Sequence, residues 1–241
     1  TPCGTLFPYT TLFRSVLFTG WAAAQTAPTE PVAATAKALP QGLPGRTLPA
    51  AIGMQTKPGT STAEELTKIR AAGAGFIRRG FYWREVEKEK GKYDFTTYDE
   101  LLKNTDARGL RVLGCLFSGN RLYGKGAVMT EPGRQGFAAF AAALAARYKG
   151  RGIIWEVWNE PNTRTFWRKN GKHNSPPFAA EYTALVKATA GAMLKADPDC
   201  FIVAGAVSCL WEPSFRWIDS CFSKGILESG IKGWSLHPYG V

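Results

Sequence analysis

The 241 residues predict an α/β fold of parallel strands covered by helices, and three observations carry that reading. Short β-rich runs alternate with longer helical patterns from about Ala51 onward. Polar residues with chemical potential sit where predicted strands run out, four times over, which is the layout of a (β/α)8 active face. No phosphate-cradling loop competes. Gly73, Gly75 and Gly80 are wrongly spaced for a dinucleotide fingerprint and precede a strand, and no Gly-x-x-x-x-Gly-Lys-Ser/Thr occurs. The preferred architecture is a (β/α)8 TIM barrel. A closed barrel needs eight strands and about 250 residues, and only six βα strands fit before Val241. The expectation is a barrel truncated after about six strands.

The elements follow in order. Ala51 to Gln55 is the first strand. Ser61-Thr62-Ala63-Glu64-Glu65-Leu66 opens a helix with a capping box and apolar positions at Leu66, Ile69 and Ala72, and Gly73 ends it. Phe76 to Trp83 is strand two. Tyr98 to Arg108 is a helix closed by Gly109, and Arg111 to Ser118 is strand three. An Ala-rich amphipathic helix over Gly136 to Tyr148 precedes strand four, Ile153 to Asn159. A helix over Phe178 to Lys195 leads to strand five, Phe201 to Val207. A weaker helix, Phe215 to Leu227, leads to strand six, Gly233 to His237.

The barrel segment is assigned to 49–241, and three pieces precede it. Residues 1–15, ending in Thr5-Leu6-Phe7-Pro8-Tyr9-Thr10-Thr11-Leu12-Phe13-Arg14-Ser15, read as the translation of a sequencing adapter, foreign to any fold. Residues 16–24 resemble the tail of a secretory signal, an apolar run followed by small residues, which implies a secreted or periplasmic protein. Residues 25–48, rich in Ala, Pro and Thr, read as a linker.

The net charge of +11 comes from Lys and Arg scattered among acids, as in Arg84-Glu85-Val86-Glu87-Lys88-Glu89-Lys90, with no basic block that would mark a nucleic-acid groove. No apolar run is long enough for a membrane span. The five cysteines fit no zinc spacing and the two histidines add little, so neither metal nor cofactor is expected. Cys209 and Cys221 could pair in an oxidising compartment, or all five could be thiols.

Chemistry concentrates in Ile154-Trp155-Glu156-Val157-Trp158-Asn159-Glu160-Pro161-Asn162. An apolar strand ends abruptly in Asn159-Glu160, where Pro161 blocks the ladder. A carboxylate between Trp158 and an amide at a barrel mouth is partly desolvated, the condition a general acid requires. A simply solvated strand-end Glu is the competing reading. Glu156, four residues earlier on the same side but deeper, reads as a buried, paired structural carboxylate. Phe166, Trp167 and Trp211 fall in loops where rings could stack on a bound ligand, or pack into the core or as a lid.

The run Trp158-Asn159-Glu160-Pro161-Asn162 resembles the fourth-strand signature of glycoside hydrolase clan A. With Trp155-Glu156 before it and Asn162 last, it leans towards the family 39-like branch, with family 5 next. The resemblance runs from about Ala51 to Val241 and implies that Glu160 is the acid/base and that Asn159 contacts the sugar 2-hydroxyl. Arg78-Arg79-Gly80-Phe81-Tyr82-Trp83, with Gly91-Lys92-Tyr93-Asp94-Phe95 after it, is similar to the clan's second strand and loop, whose Arg supports the nucleophile. Spacing from Trp83 gives that role to Arg78, leaving Arg79 as a surface residue. Gly119-Asn120-Arg121-Leu122-Tyr123 is similar to a turn that edges the sugar site, which implies Asn120. Ser235-Leu236-His237-Pro238-Tyr239 resembles the clan's sixth-strand ending, whose His and Tyr lie close to the nucleophile.

The resemblance implies a retaining glycosidase acting on poly- or oligosaccharides, with its nucleophile Glu on a seventh strand beyond Val241. Glu212 and Glu228 do not replace it, so the 241 residues alone are expected to be inactive. The alternative is a non-catalytic, carbohydrate-binding barrel.

Overall fold

The computed structural model describes residues 52–59, 61–124, 127–167, 176–208 and 212–239, all within the second of the chain's two units, 34–241. The segments expected over 1–48 lie outside the described residues, as do Cys3, Ala51, Cys209 and Trp211.

Six strands form one sheet: β1 (Gly53–Gln55), β2 (Phe76–Tyr82), β3 (Arg111–Phe117), β4 (Ile154–Val157), β5 (Phe201–Ser208) and β6 (Gly233–His237). Each strand is parallel to its neighbours, and spatial order equals chain order. A doubly wound sheet reverses its order at a switch point. This one does not. It is the strand arrangement of a (β/α)8 TIM barrel, carried through six strands.

Crossover helices join the strands: α1 (Ala63–Ala71), α2 (Thr96–Asp106), α3 (Glu131–Arg147), α4 (Pro176–Ala196) and α5 (Glu212–Ser223). Thr62 caps α1, with Glu65 completing the reciprocal pair of bonds. Gly109 turns the chain after α2 at φ +60°, a left-handed conformation that favours glycine. Helix α3 starts five residues before the expected Gly136. Pro132 lies in its first turn, where its missing N–H is harmless, and the Thr130 side chain accepts from Gly133 N. Among the described residues, no helix is long and apolar enough to cross a membrane.

Strand β2 separates two environments by simple alternation. Ile77, Arg79 and Phe81 face the helices and are buried. There Phe81 stacks on Tyr98 of α2 with ring centroids 4.2 Å apart. Arg79 is therefore not the surface residue expected of it, because its strand parity puts it under the helical layer. Arg78 faces the other way. Strand β2 ends at Tyr82, and Trp83 begins a single helical turn (Trp83–Val86) that leads into a hairpin of Glu87–Glu89 with Lys92–Tyr93.

Strands β4 and β5 are buried along almost their whole length, as expected of parallel strands covered on both faces. Their pairing is regular from Ile154 with Phe201 to Glu156 with Val203. Farther along, the register of β5 against β6 shifts between Ala204 and Val207. At this bulge Gly205 has φ +110°, and a Cβ there would lie 2.3 Å from the Ser235 carbonyl oxygen, so only glycine fits.

Candidate active site

Two networks meet at the C-terminal end of β4. The deeper one centres on Glu156, which is fully buried. Arg78 Nε donates to Glu156 Oε2 at 2.9 Å and Arg78 Nη2 reinforces the pair. Ser235 Oγ donates to Glu156 Oε1 at 2.6 Å. The same guanidinium reaches Asn159 Oδ1 at 2.8 Å and Gln55 Oε1 at 2.7 Å. One Arg thus ties together β1, β2 and the end of β4. Burial opposes the charge on Arg78, but the Glu156 carboxylate, together with Cys115 and Tyr239, offsets it and holds the guanidinium above its ordinary pKa. The reading of Glu156 as a buried, paired carboxylate matches this geometry.

The upper network centres on Glu160, 9% exposed. His237 Nδ1 lies 2.9 Å from Glu160 Oε1, and the Tyr239 hydroxyl donates to the same oxygen at 3.1 Å. Both partners come from the end of β6, so the site forms only once that strand is docked. No hydrogen bond to Oε2 is made among the described residues. The resemblance put His237 and Tyr239 beside a nucleophile; here both meet Glu160.

The backbone that presents Glu160 is strained. Trp158 has φ +71° and Glu160 φ +46°, left-handed values that cost a non-glycine residue on the order of 1–3 kcal/mol each. Just past the turn, Pro161 carries no N–H with which to extend the ladder. The bend is held on both sides. Glu160 N donates to the Ala206 carbonyl at 3.0 Å, and Thr163 N returns to the Glu160 carbonyl at 3.0 Å. Trp158 packs between Phe117 and Trp167, with centroids 4.9 and 5.6 Å away. Trp167 is buried, and its Nε1 donates to Glu181 at 3.2 Å. It therefore packs beneath the loop, whereas Phe166 is half-buried against Phe117.

Asn120 stands apart from both networks. It is buried, its Nδ2 donates to the Glu87 carbonyl at 2.7 Å, and its Oδ1 accepts from Leu122 N at 3.0 Å. It fastens the turn after β3 to the hairpin after β2. Beside it the buried Glu87 carboxylate accepts from Tyr123 Oη, Gly91 N and Trp83 Nε1. Burial, with Glu87 adding to it, raises the Tyr123 phenol above its usual range. Glu87 escaped sequence reasoning because it sits in a run of alternating charges that reads as a solvated face.

Comparison with known proteins bears on this geometry. A family model described as cellulase, glycosyl hydrolase family 5, matches residues 38–235. No curated protein matches the chain. Among solved structures, a family 39 glycoside hydrolase from the gut symbiont Bacteroides cellulosilyticus WH2 is 26% identical with a TM-score of 0.62, over 77% of this chain and 38% of its own. The family 39 enzyme of Xanthomonas axonopodis pv. citri is 20% identical with a TM-score of 0.63, over 83% and 42%. A family 39 β-xylosidase from Caulobacter crescentus is 21% identical with a TM-score of 0.60, over 78% and 46%. The chain therefore spans less than half the length of each of these proteins. The last two likenesses carry the fold alone. Since the family 5 model spans most of the chain, and the neighbours share its barrel, the chain belongs to the cellulase family of glycosyl hydrolases, family 5, within clan A.

Proposed function

We propose that the protein hydrolyses O-glycosidic bonds of poly- or oligosaccharides by retaining double displacement, with Glu160 as acid/base. The observation that supports this best is the split environment of the Glu160 carboxyl. Oε1 is engaged by His237 and Tyr239, whereas Oε2 has no partner among the described residues. A proton on Oε2 is the one a glycosidic oxygen can receive. In the first step that proton goes to the leaving oxygen as the C–O bond breaks and a carboxylate nucleophile bonds the anomeric carbon. In the second step Glu160, now ionised, takes a proton from the water that attacks the same carbon as its bond to the nucleophile carboxylate breaks. The nucleophile is a Glu on a seventh strand, outside these 241 residues. Asn159, oriented by Arg78, supplies an amide to the sugar 2-hydroxyl. Export from the cytoplasm, drawn from residues 16–24, belongs to the same proposal.

The test is Glu160→Ala in a protein that includes the seventh and eighth strands. Activity should collapse on substrates with poor leaving groups and fall less in the glycosylation step on aryl glycosides that depart unprotonated. Azide, which needs no general base, should restore turnover and yield a glycosyl azide of retained configuration. Near-full activity on unactivated substrates would overturn the assignment. A carbohydrate-binding barrel without catalysis would show sugar binding and no turnover in either protein.

A further inference from the structure

Asn162 does with its side chain what a strand does with its backbone. Its Oδ1 accepts from Ser208 N at 3.0 Å and its Nδ2 donates to the Ser208 carbonyl at 2.9 Å, in a pocket where the residue is buried. A side-chain amide that exchanges both bonds with the backbone N–H and C=O of one residue reproduces a β-bridge. The chain needs that substitute here. Regular pairing of β4 with β5 stops at Glu156 and Val203, and Pro161 has no N–H to resume it. Between the two attachments hangs the strained Trp158–Glu160 turn.

We infer that Asn162 is a positioning residue for Glu160: with the β5 bulge it clamps the far end of the turn, so that the carboxyl is held against His237 and Tyr239. The clamp has three parts. Glu160 N is fixed to the bulge carbonyl of Ala206, itself at φ +51°. The Tyr182 hydroxyl of α4 donates to the Val157 carbonyl at 2.8 Å and accepts from Gly205 N at 2.7 Å, joining the last residue of β4 to the bulge. Asn162 closes the loop on Ser208, beyond the bulge. Two left-handed residues without glycine cost on the order of 1–3 kcal/mol each and persist only where the surroundings over-determine them. Asn162 is the member of the clamp nearest to Glu160 in the chain that contributes through its side chain, so it is the one that substitution can remove.

This inference rests on Glu160 being the acid/base, and the experiment separates the two. Kinetics of Asn162→Ala, Asn162→Asp, Ser214→Ala and Glu160→Ala are compared on glycosides with good and poor leaving groups, in a protein that includes the remaining strands. Releasing the turn displaces the proton donor by a fraction of an ångström to an ångström, which is worth up to about 100-fold. Asn162→Ala should lower kcat about 10- to 100-fold on poor leaving groups, with KM changed less than about threefold, and lower it far less on activated aryl glycosides. Asn162→Asp keeps the acceptor for Ser208 N and loses the donor, so its loss should fall between. Should Asn162→Ala not fold, Asn162→Asp carries the same comparison. Ser214→Ala removes a hydroxyl that accepts from Asn162 Nδ2 at 3.3 Å and donates to the Ser208 carbonyl at 3.2 Å, but it leaves both Asn162–Ser208 bonds in place and should keep the parent's leaving-group dependence. An equal loss on all leaving groups in the Asn162 variants, with a steep dependence in Glu160→Ala, overturns the clamp alone. A flat dependence in Glu160→Ala overturns the acid/base reading instead.

Discussion

Arg78 and Glu156 form an ion pair whose two ends differ greatly in their access to water, the Arg side chain being 18% exposed and the Glu 1%. Removing the Arg leaves a carboxylate with nowhere to be hydrated, a situation that costs about 3–5 kcal/mol. Arg78→Met should therefore lower the unfolding free energy by about that amount in urea titrations, and adding Glu156→Gln should recover part of it. A neutral Arg78→Met would show that the pair does not hold β1, β2 and the end of β4 together. At this scale much of the site was legible. The end of β4 showed itself because an apolar run cannot be followed by Asn, Glu and Pro without leaving the sheet. Glu156 was readable as buried because it shares strand parity with Glu160. Arg79 was misjudged because two adjacent arginines look alike, although strand alternation sends one into the barrel and the other under the helices. The meeting of His237 and Tyr239 with Glu160 was not readable, since no local rule measures a distance between residues 77 or more positions apart.

The six sheet strands and the five crossover helices were recovered one for one with errors at their ends, whereas the helical turn at Trp83–Val86 and the hairpin of Glu87–Glu89 with Lys92–Tyr93 were not foreseen. The start of α3 was masked by Pro132 and Gly133, which read as breakers and serve as a first turn. The bulge in β5 has Gly205 as its sole local mark, and a glycine in an apolar strand has several explanations. The elements also govern the thiols. Cys200 and Cys221 are buried and free, and burial pushes both thiols up to about 12. A raised thiol pKa means that the folded state holds its protons more tightly. Their contribution to stability is thus complete below pH ~9 and lost as pH rises from there towards ~12. The expected outcome is negligible alkylation of Cys115, Cys200 and Cys221 by iodoacetamide at pH 8 in the native protein, and rapid alkylation in denaturant, read by peptide mapping. Rapid native labelling of Cys221 would contradict its place beneath Ala179 of α4, whose carbonyl lies 3.8 Å from the sulfur.

Among the described residues the sheet has two unpaired edges, β1 and β6. Strand β1 is exposed along its length, and around the edges Ile52, Met54, Phe222 and Leu236 leave between 40 and 44% of their surface in water. Parallel edges with apolar neighbours are templates for association. Residues 49–241 expressed alone should self-associate or bind 1-anilinonaphthalene-8-sulfonate, as judged by light scattering and dye fluorescence. A monomer with a sharp, cooperative melt would contradict this. The long reach between Glu160 and its β6 partners carries a further consequence, one of time. At roughly 5–20 residues per second, a ribosome finishes Glu160 roughly 4–15 s before it delivers the two side chains that engage its carboxyl. During that interval the Glu160 carboxyl has neither of these two partners. The Ala206 carbonyl and the Ser208 backbone emerge earlier than His237, so the turn can be set before the carboxyl finds its partners, and the order of synthesis becomes the order of assembly.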